Sequence, residues 1–208
     1  AEYKARLVAR LVGLENIASS DLNNDYSRPS AGEETTPEQQ ENHVRYSFEG
    51  SFCDLTGGFG VDFSFIARSF KRAIYVEQQK NLCELARHNF QALGLTQAEV
   101  VNADGTAYLH QLDHVSVLFL DPARRNEQGG KTVLIEDCSP DVLTIEKELL
   151  QKADTIVLKL SPMLDWHRAV NELNVIGNVV REVHILSVRN ECKELLIVLQ
   201  KEGPQSDT

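Results

Sequence analysis

No apolar run in the 208 residues approaches the roughly 20 that a membrane-spanning helix requires, which excludes a helical transmembrane chain. The opening stretch, AEYKARLVARLVGLEN, breaks its apolar face with charges and so does not read as a secretory signal peptide. It also lacks an initiator Met, which fits a processed or excised piece of a longer protein. The four cysteines, Cys53, Cys83, Cys138 and Cys192, lie too far apart for a zinc site or a redox CxxC pair. They read as buried, reduced thiols of a cytoplasmic protein. Positive charge is scarce: 21 Lys and Arg stand against 31 Asp and Glu, a formal net charge of −10. The balance argues against broad, nonspecific coating of nucleic acid but not against a local basic site. There is no internal repeat. What remains is the mix of a globular chain, 42% hydrophobic and 25% charged, long enough for one large domain or two small ones and for a core that needs no covalent staples.

The pattern divides the chain near residue 50. Leu7, Val8, Leu11, Val12 and Leu14 recur at helical spacing between Tyr3 and Leu14, with Lys4, Arg6 and Arg10 off the stripe. The stripe is short and fits packing on a protein core rather than on a membrane. Ser19 to Asn42 is nearly free of large apolar residues and reads as a polar linker that cannot order itself. Asp21, Asn23 and Asp25 alternate like the start of a calcium loop, but Tyr26 stands where the loop needs glycine and Gly32 where it needs a carboxylate. The expected organisation is an N-terminal helix and polar linker over residues 1–50 and one domain over 51–208.

From Phe52 onward, seven short apolar runs appear: SFCDL, AIYVE, EVVNAD, VSVLFLD, TIVLKLS, EVHILSV and ELLIVLQ. Helical patterns separate the first six, over 63–70, 81–93, 106–112, 142–151 and 166–173. Strand alternating with helix predicts an α/β fold with a parallel sheet covered on both faces. Only RNECK separates the last two runs, too short for a crossover, so the final strand is expected to run antiparallel.

The first run opens into Asp54-Leu55-Thr56-Gly57-Gly58-Phe59-Gly60-Val61-Asp62. Such a strand, glycine turn and helix start lets backbone approach a ligand closely and presents the free N–H groups of a helix end. A glycine cluster alone is equally compatible with an ordinary turn. Glu77 ends the second run, about 20 residues after the turn, the spacing at which a carboxylate meets ribose hydroxyls. Asp104 ends the third run, within reach of an adenine amine. Each alone is an ordinary loop residue. Together they describe an adenosine site at the switch point of the sheet. A nicotinamide dehydrogenase fingerprint fits poorly, because Phe63 falls where the third glycine of G-x-G-x-x-G is needed.

These residues resemble the class I S-adenosylmethionine-dependent methyltransferases, whose Rossmann-like sheet has seven strands with an antiparallel last strand. The likeness runs from about Phe52 to Lys201. The family's acidic-x-G-x-G-x-G motif corresponds to Asp54, Thr56, Gly58 and Gly60, with Thr56 departing at the first glycine. The D-x-T-x-G-x-G-x-D form is similar to ribosomal-RNA guanine methyltransferases of the N2 type. The resemblance implies S-adenosylmethionine as cofactor, held by Asp54, Thr56, Gly58, Gly60, Glu77 at the ribose and Asp104 at the adenine.

The fourth run ends Asp121-Pro122-Ala123-Arg124-Arg125, which resembles the (Asp/Asn)-Pro-Pro-aromatic motif of amino-methylating enzymes. That likeness implies that Asp121 and the Pro122 carbonyl orient a target amine toward the methyl group. Ala123 replaces the second proline and Arg124 the stacking aromatic, so Arg124 would stack on a base or grip phosphate. Arg124 and Arg125 pairing with acidic neighbours is the plainer reading. DPARR also resembles methyltransferase domains joined to a THUMP-like, RNA-associated module, implying an RNA acceptor and a further domain. Acceptors among proteins or small molecules, and a non-catalytic cofactor-binding module, remain alternatives.

Other residues carry less. Lys131 sits in a glycine-rich stretch that would serve as a lid. Glu136, Asp137 and Asp141 would hold a metal, balance the arginines, or cap and start a helix, the last being the simplest. Lys159, Ser161 and Pro162 close the fifth run and are expected to line the acceptor cleft. Trp166 is either a base-stacking aromatic or a core residue. His110 and His114 have no third ligand nearby and do not make a metal site.

Overall fold

The structure is a computed structural model and describes residues 1–14, 48–124 and 134–201. The elements follow in chain order: helix α1 (Glu2–Leu11), strand β1 (Phe48–Asp54), α2 (Val61–Ile66), β2 (Phe70–Glu77), α3 (Lys80–Ala92), β3 (Ala98–Asn102), α4 (Gly105–Gln111) and β4 (Val115–Leu120). Then come β5 (Ala123–Arg124), β6 (Cys138–Ser139), α5 (Val142–Lys152), β7 (Ala153–Leu160), α6 (Trp166–Leu173), β8 (Val180–Val188) and β9 (Glu191–Leu199). All seven apolar runs are strands of one sheet, in the order β3-β2-β1-β4-β7-β9-β8. β9 pairs antiparallel with both β7 and β8, and the pairs among β3, β2, β1, β4 and β7 are parallel.

Strict alternation along the central strands sorts their side chains between two cores. Phe52, Tyr75, Val117, Phe119 and Val157 face α2 and α3, where they meet Phe63, Ile66, Cys83 and Phe90. Cys53, Ile74, Val76, Leu118, Leu120, Ile156 and Leu158 face the other way, onto Leu109, Leu149, Ala169 and Leu173 of α4, α5 and α6. The chain winds outward from β1 through β2 to β3, then returns to lay β4 on the other side of β1. The connections leaving the carboxyl ends of β1 and β4 therefore run to opposite faces of the sheet, the usual place of a ligand crevice in an open α/β sheet.

α1 docks on this domain: Ala5 and Val8 join the α2–α3 core, and Leu7 packs on Leu196 and Val198 of β9. The expected protein-facing stripe is thus realised. Lys4, expected off that stripe, is instead 1% exposed, for a reason that lies at the site. The β8–β9 connection is tighter than the five-residue reading: Arg189 and Asn190 both take positive φ, 53° and 62°, as a two-residue hairpin turn requires. The short antiparallel pair β5–β6, after β4, was not expected. The polar segment 19–42 and Lys131 lie outside the described residues.

The buried side of α5 carries Val142, Ile145, Leu149 and Leu150, and with them Glu146, which is 2% exposed. Its Oε1 finds no hydrogen-bond partner among the described residues. Burial raises its carboxyl from 4.5 to about 7. The native state therefore keeps a proton that the unfolded chain has released, and stability falls as pH rises from 4.5 through 7. Glu146→Gln is expected to gain about 1–2 kcal/mol of stability at pH 8 and almost nothing near pH 4.5, by urea unfolding at both values.

Candidate active site

The turn between β1 and α2 rests on an aromatic floor. Phe63, Tyr75 and Phe90 meet one another with ring centroids 4.8 to 5.5 Å apart. A Cβ on Gly57 would lie 2.2 Å from the Tyr75 ring, and one on Gly60 2.9 Å from Phe90. These two glycines let the backbone settle onto the rings. Gly58 differs: its φ of +54° suits glycine, and a Cβ there would meet only the Thr56 carbonyl, at 3.7 Å. Its open side is the face from which a ligand can approach. The Tyr75 hydroxyl donates to the Gly58 carbonyl, and burial raises that hydroxyl's pKa, so it stays a donor.

Glu77 closes β2 and is 8% exposed. Its Oε2 accepts from the Gly58 N–H at 3.0 Å and its Oε1 from the Gln79 N–H at 2.7 Å. The carboxylate thus ties the glycine turn to the end of β2. Next to it, the Asn102 amide at the end of β3 donates to the Glu77 and Gln78 carbonyls, both at 2.9 Å. Asp104 is exposed and caps α4, with Oδ1 accepting from the Ala107 N–H at 2.9 Å. One rim of the crevice therefore carries the turn, Glu77 and Asp104 in the order of three adjacent strands.

Asp54 lies beneath the turn rather than on its surface. It is 2% exposed, and its Oδ1 accepts from the Thr56 N–H at 2.9 Å and the Thr56 hydroxyl at 3.3 Å. Burial raises its carboxyl from 3.8 to about 7, against the opposing pull of those two bonds. Thr56 Oγ1 also accepts from the Asp121 N–H at 2.6 Å. A glycine at this position would have no hydroxyl to join Asp54 to the end of β4. Here the departure from the usual motif has a structural purpose.

Asp121 follows β4 directly, with its side chain 44% exposed, and Pro122 behind it is buried. Asp121 Oδ2 lies 2.6 Å from the Lys159 ammonium at the end of β7. Lys159 also approaches Asp62 at 3.3 Å and Glu194 at 4.0 Å. Lys4 of α1 reaches the same carboxylates, Asp62 at 3.0 Å and Glu194 at 2.5 Å. Burial works against the charge of Lys159, but its hydrogen bond to Asp121 and the other two carboxylates raise its pKa above the ordinary value. Arg124 is in β5, opposite Cys138. Arg125 lies outside the described residues.

The remaining candidates serve the scaffold. Asp137 accepts from the Leu134 N–H at 3.2 Å, Asp141 caps α5 through the Leu143 N–H at 3.1 Å, and Glu136 pairs with Arg168 at 3.5 Å. Asp141 thus takes the simplest reading, a helix cap, whereas Glu136 balances an arginine outside the DPARR run. Trp166 packs on the core and stacks on His167, its centroid 3.4 Å away. His110 and His114 turn to separate carboxylates, Glu148 at 2.9 Å and Asp154 at 3.5 Å. No group of three or more His, Cys, Asp or Glu side chains among the described residues is arranged to hold a metal. The network that sequence reasoning missed is Lys4–Asp62–Glu194. Asp62 stood at the end of the glycine motif, but nothing local marked its partners.

No family model and no curated protein matches the chain. Solved structures do. A candidate methyltransferase from Porphyromonas gingivalis W83 is 31% identical over 81% of this chain, with a TM-score of 0.62. The chain spans only 41% of that protein's length. An rRNA methylase from Streptococcus thermophilus is 15% identical over 74% of this chain and 87% of its own, with a TM-score of 0.54. A candidate methyltransferase from Streptococcus mutans, solved in complex with S-adenosylhomocysteine, is 11% identical over 82% of this chain and all of its own (100%), also at 0.54. The strand order, the antiparallel β9 and these likenesses define the Rossmann-like methyltransferase fold.

Proposed function

We propose that the chain is an S-adenosylmethionine-dependent methyltransferase acting on an exocyclic amine of an RNA base. The observation that carries the reading is the convergence of two sets of groups at the β1–β4 crevice. On one side stand the open glycine turn, Glu77 and Asp104; on the other, Asp121 and Pro122. The residues fit the cofactor: Gly58 leaves its face of the turn open, and two carboxylates stand at the end of β2 and at the helix cap that follows β3, suited to ribose hydroxyls and an adenine amine. Glu77, Asp104, Gly58 and Gly60 would hold it directly, with Asp54 and Thr56 fixing the turn from below. When bound, S-adenosylmethionine supplies an electrophilic methyl group.

The chain's own residues then need only place the nucleophile. Asp121 accepts a hydrogen bond from the amine, the Pro122 carbonyl accepts a second, and together they aim the nitrogen lone pair. Positioning of this kind supplies much of the rate for a reaction whose electrophile is already activated. The amine proton leaves to water or to Asp121. Arg124 would hold phosphate or base. The DPAR sequence and an rRNA methylase among the shared folds support RNA as acceptor, with a THUMP-like domain as the partner that delivers it. The wide spacing of Cys53, Cys83, Cys138 and Cys192, with no CxxC pair among them, supports a reducing, cytoplasmic setting.

The test supplies methyl-labelled S-adenosylmethionine to the chain with total cellular RNA, protein and metabolites, then fractionates the label. Label is expected in RNA and lost on ribonuclease treatment. Label in protein or a metabolite would overturn the RNA acceptor and leave the enzyme class standing. No calorimetric binding of the cofactor would overturn the class itself.

A further inference from the structure

The end of β7 places a cation where the reaction, as read above, handles charge. Asp121, Asp62 and Glu194 contribute three carboxylates, and Lys159 and Lys4 two ammonium groups, in one connected cluster. Lys159 stands at its centre, within 4.0 Å of all three acids. Lys4, nearly without solvent, locks the far side by joining Asp62 to Glu194 and brings α1 into the site. The backbone of Asp121 is pinned independently, by Thr56. Lys159 therefore governs the Asp121 side chain alone.

We propose that Lys159 is a positioning residue for methyl transfer: it caps Oδ2 of Asp121, so that Oδ1 is presented to the incoming amine, and it balances the carboxylate charge beside the cofactor's sulfonium. The inference rests on the methyltransferase reading and deepens it. A carboxylate without Lys159 is free to turn toward the sulfonium, drawing the charged cofactor and wasting the acceptor the amine needs. With Lys159 in place, the acid is held and electrostatically muted. Lys4 and Asp62 act one step further out, as the anchor that keeps Lys159 from following substrate.

The test is the ratio of affinities for S-adenosylmethionine, which carries the sulfonium charge, and S-adenosylhomocysteine, which does not. Both are measured by calorimetry at one pH and ionic strength. Lys159→Met is expected to shift the ratio toward S-adenosylmethionine by at least about threefold, because an unmasked carboxylate attracts the sulfonium. Asp121→Asn is expected to shift it the other way. The double variant Lys159→Met with Asp121→Asn, which leaves no unpaired charge at this pair, should return to within about twofold of the wild-type ratio. It also covers the case in which Lys159→Met alone does not fold. A shift with Asp121→Asn but none with Lys159→Met, or a double variant that keeps the raised ratio, overturns the role of Lys159. An unchanged ratio in Asp121→Asn overturns the placement of Asp121 beside the sulfonium, and the inference with it. Absence of binding by the wild type overturns the cofactor reading.

Discussion

Glu77→Ala is expected to lower affinity for S-adenosylmethionine by about 10- to 100-fold, the 1.5–3 kcal/mol of hydrogen bonds to a charged group. The size follows from two tasks in one side chain. Toward the ligand, a carboxylate at the end of β2 is suited to both ribose hydroxyls. Toward the protein, its oxygens already accept the Gly58 and Gln79 N–H groups, so the same carboxylate shapes the turn that must meet the cofactor. Alanine leaves both N–H groups without that partner and removes the ligand contact together. Glu77→Gln separates the tasks, since its single carbonyl oxygen can still accept from one N–H while the charge is gone. Its loss should be smaller than that of alanine. Isothermal calorimetry on the wild type and both variants is the measurement, with thermal unfolding to confirm that each is folded. Wild-type affinity in Glu77→Ala would remove the residue from the cofactor site.

The sheet was legible because parallel strands buried on both faces read as unbroken apolar runs, and the helices between them keep their own period. The reversed direction of β9 was legible from the length of one turn. β5 and β6, two residues each, are too short to carry any period. At the site, the acids at strand ends could be found by spacing. The tasks of Thr56 and Lys4 could not, because their partners are remote in sequence: Asp121 is 65 residues from Thr56, and Glu194 is 190 from Lys4. Lys4 lies off the apolar stripe as any solvated lysine does, and only the folded chain supplies the carboxylates that allow its burial. Glu146 hides in the same way. Its neighbours Glu148 and Lys147 suggest a wet face, but helical phase puts it with Val142, Ile145 and Leu149.

Asp121→Ala is expected to lower single-turnover methylation at least about 100-fold, the scale on which removal of a preorganised polar group from a reacting centre acts. Cofactor affinity should move by no more than about fivefold, because the groups assigned to adenosine lie on the other rim. The backbone does not depend on the side chain that is lost: the Asp121 N–H still donates to Thr56, and Pro122 stays buried. Lys159 keeps Asp62 and Glu194 as partners, so the variant strands no cation. What disappears is one oxygen aimed at the amine, and with it the bias on the nitrogen lone pair and the nearest base for its proton. A merely structural Asp121 would show its loss in unfolding temperature and in cofactor affinity. A catalytic one shows it in the rate of a single turnover at saturating cofactor, with both other quantities close to wild type. Asp121→Asn, which retains a carbonyl oxygen as acceptor but lacks the charge and the basic site, should fall between wild type and alanine. Full activity in Asp121→Ala would overturn the catalytic assignment, whichever acceptor carries the label.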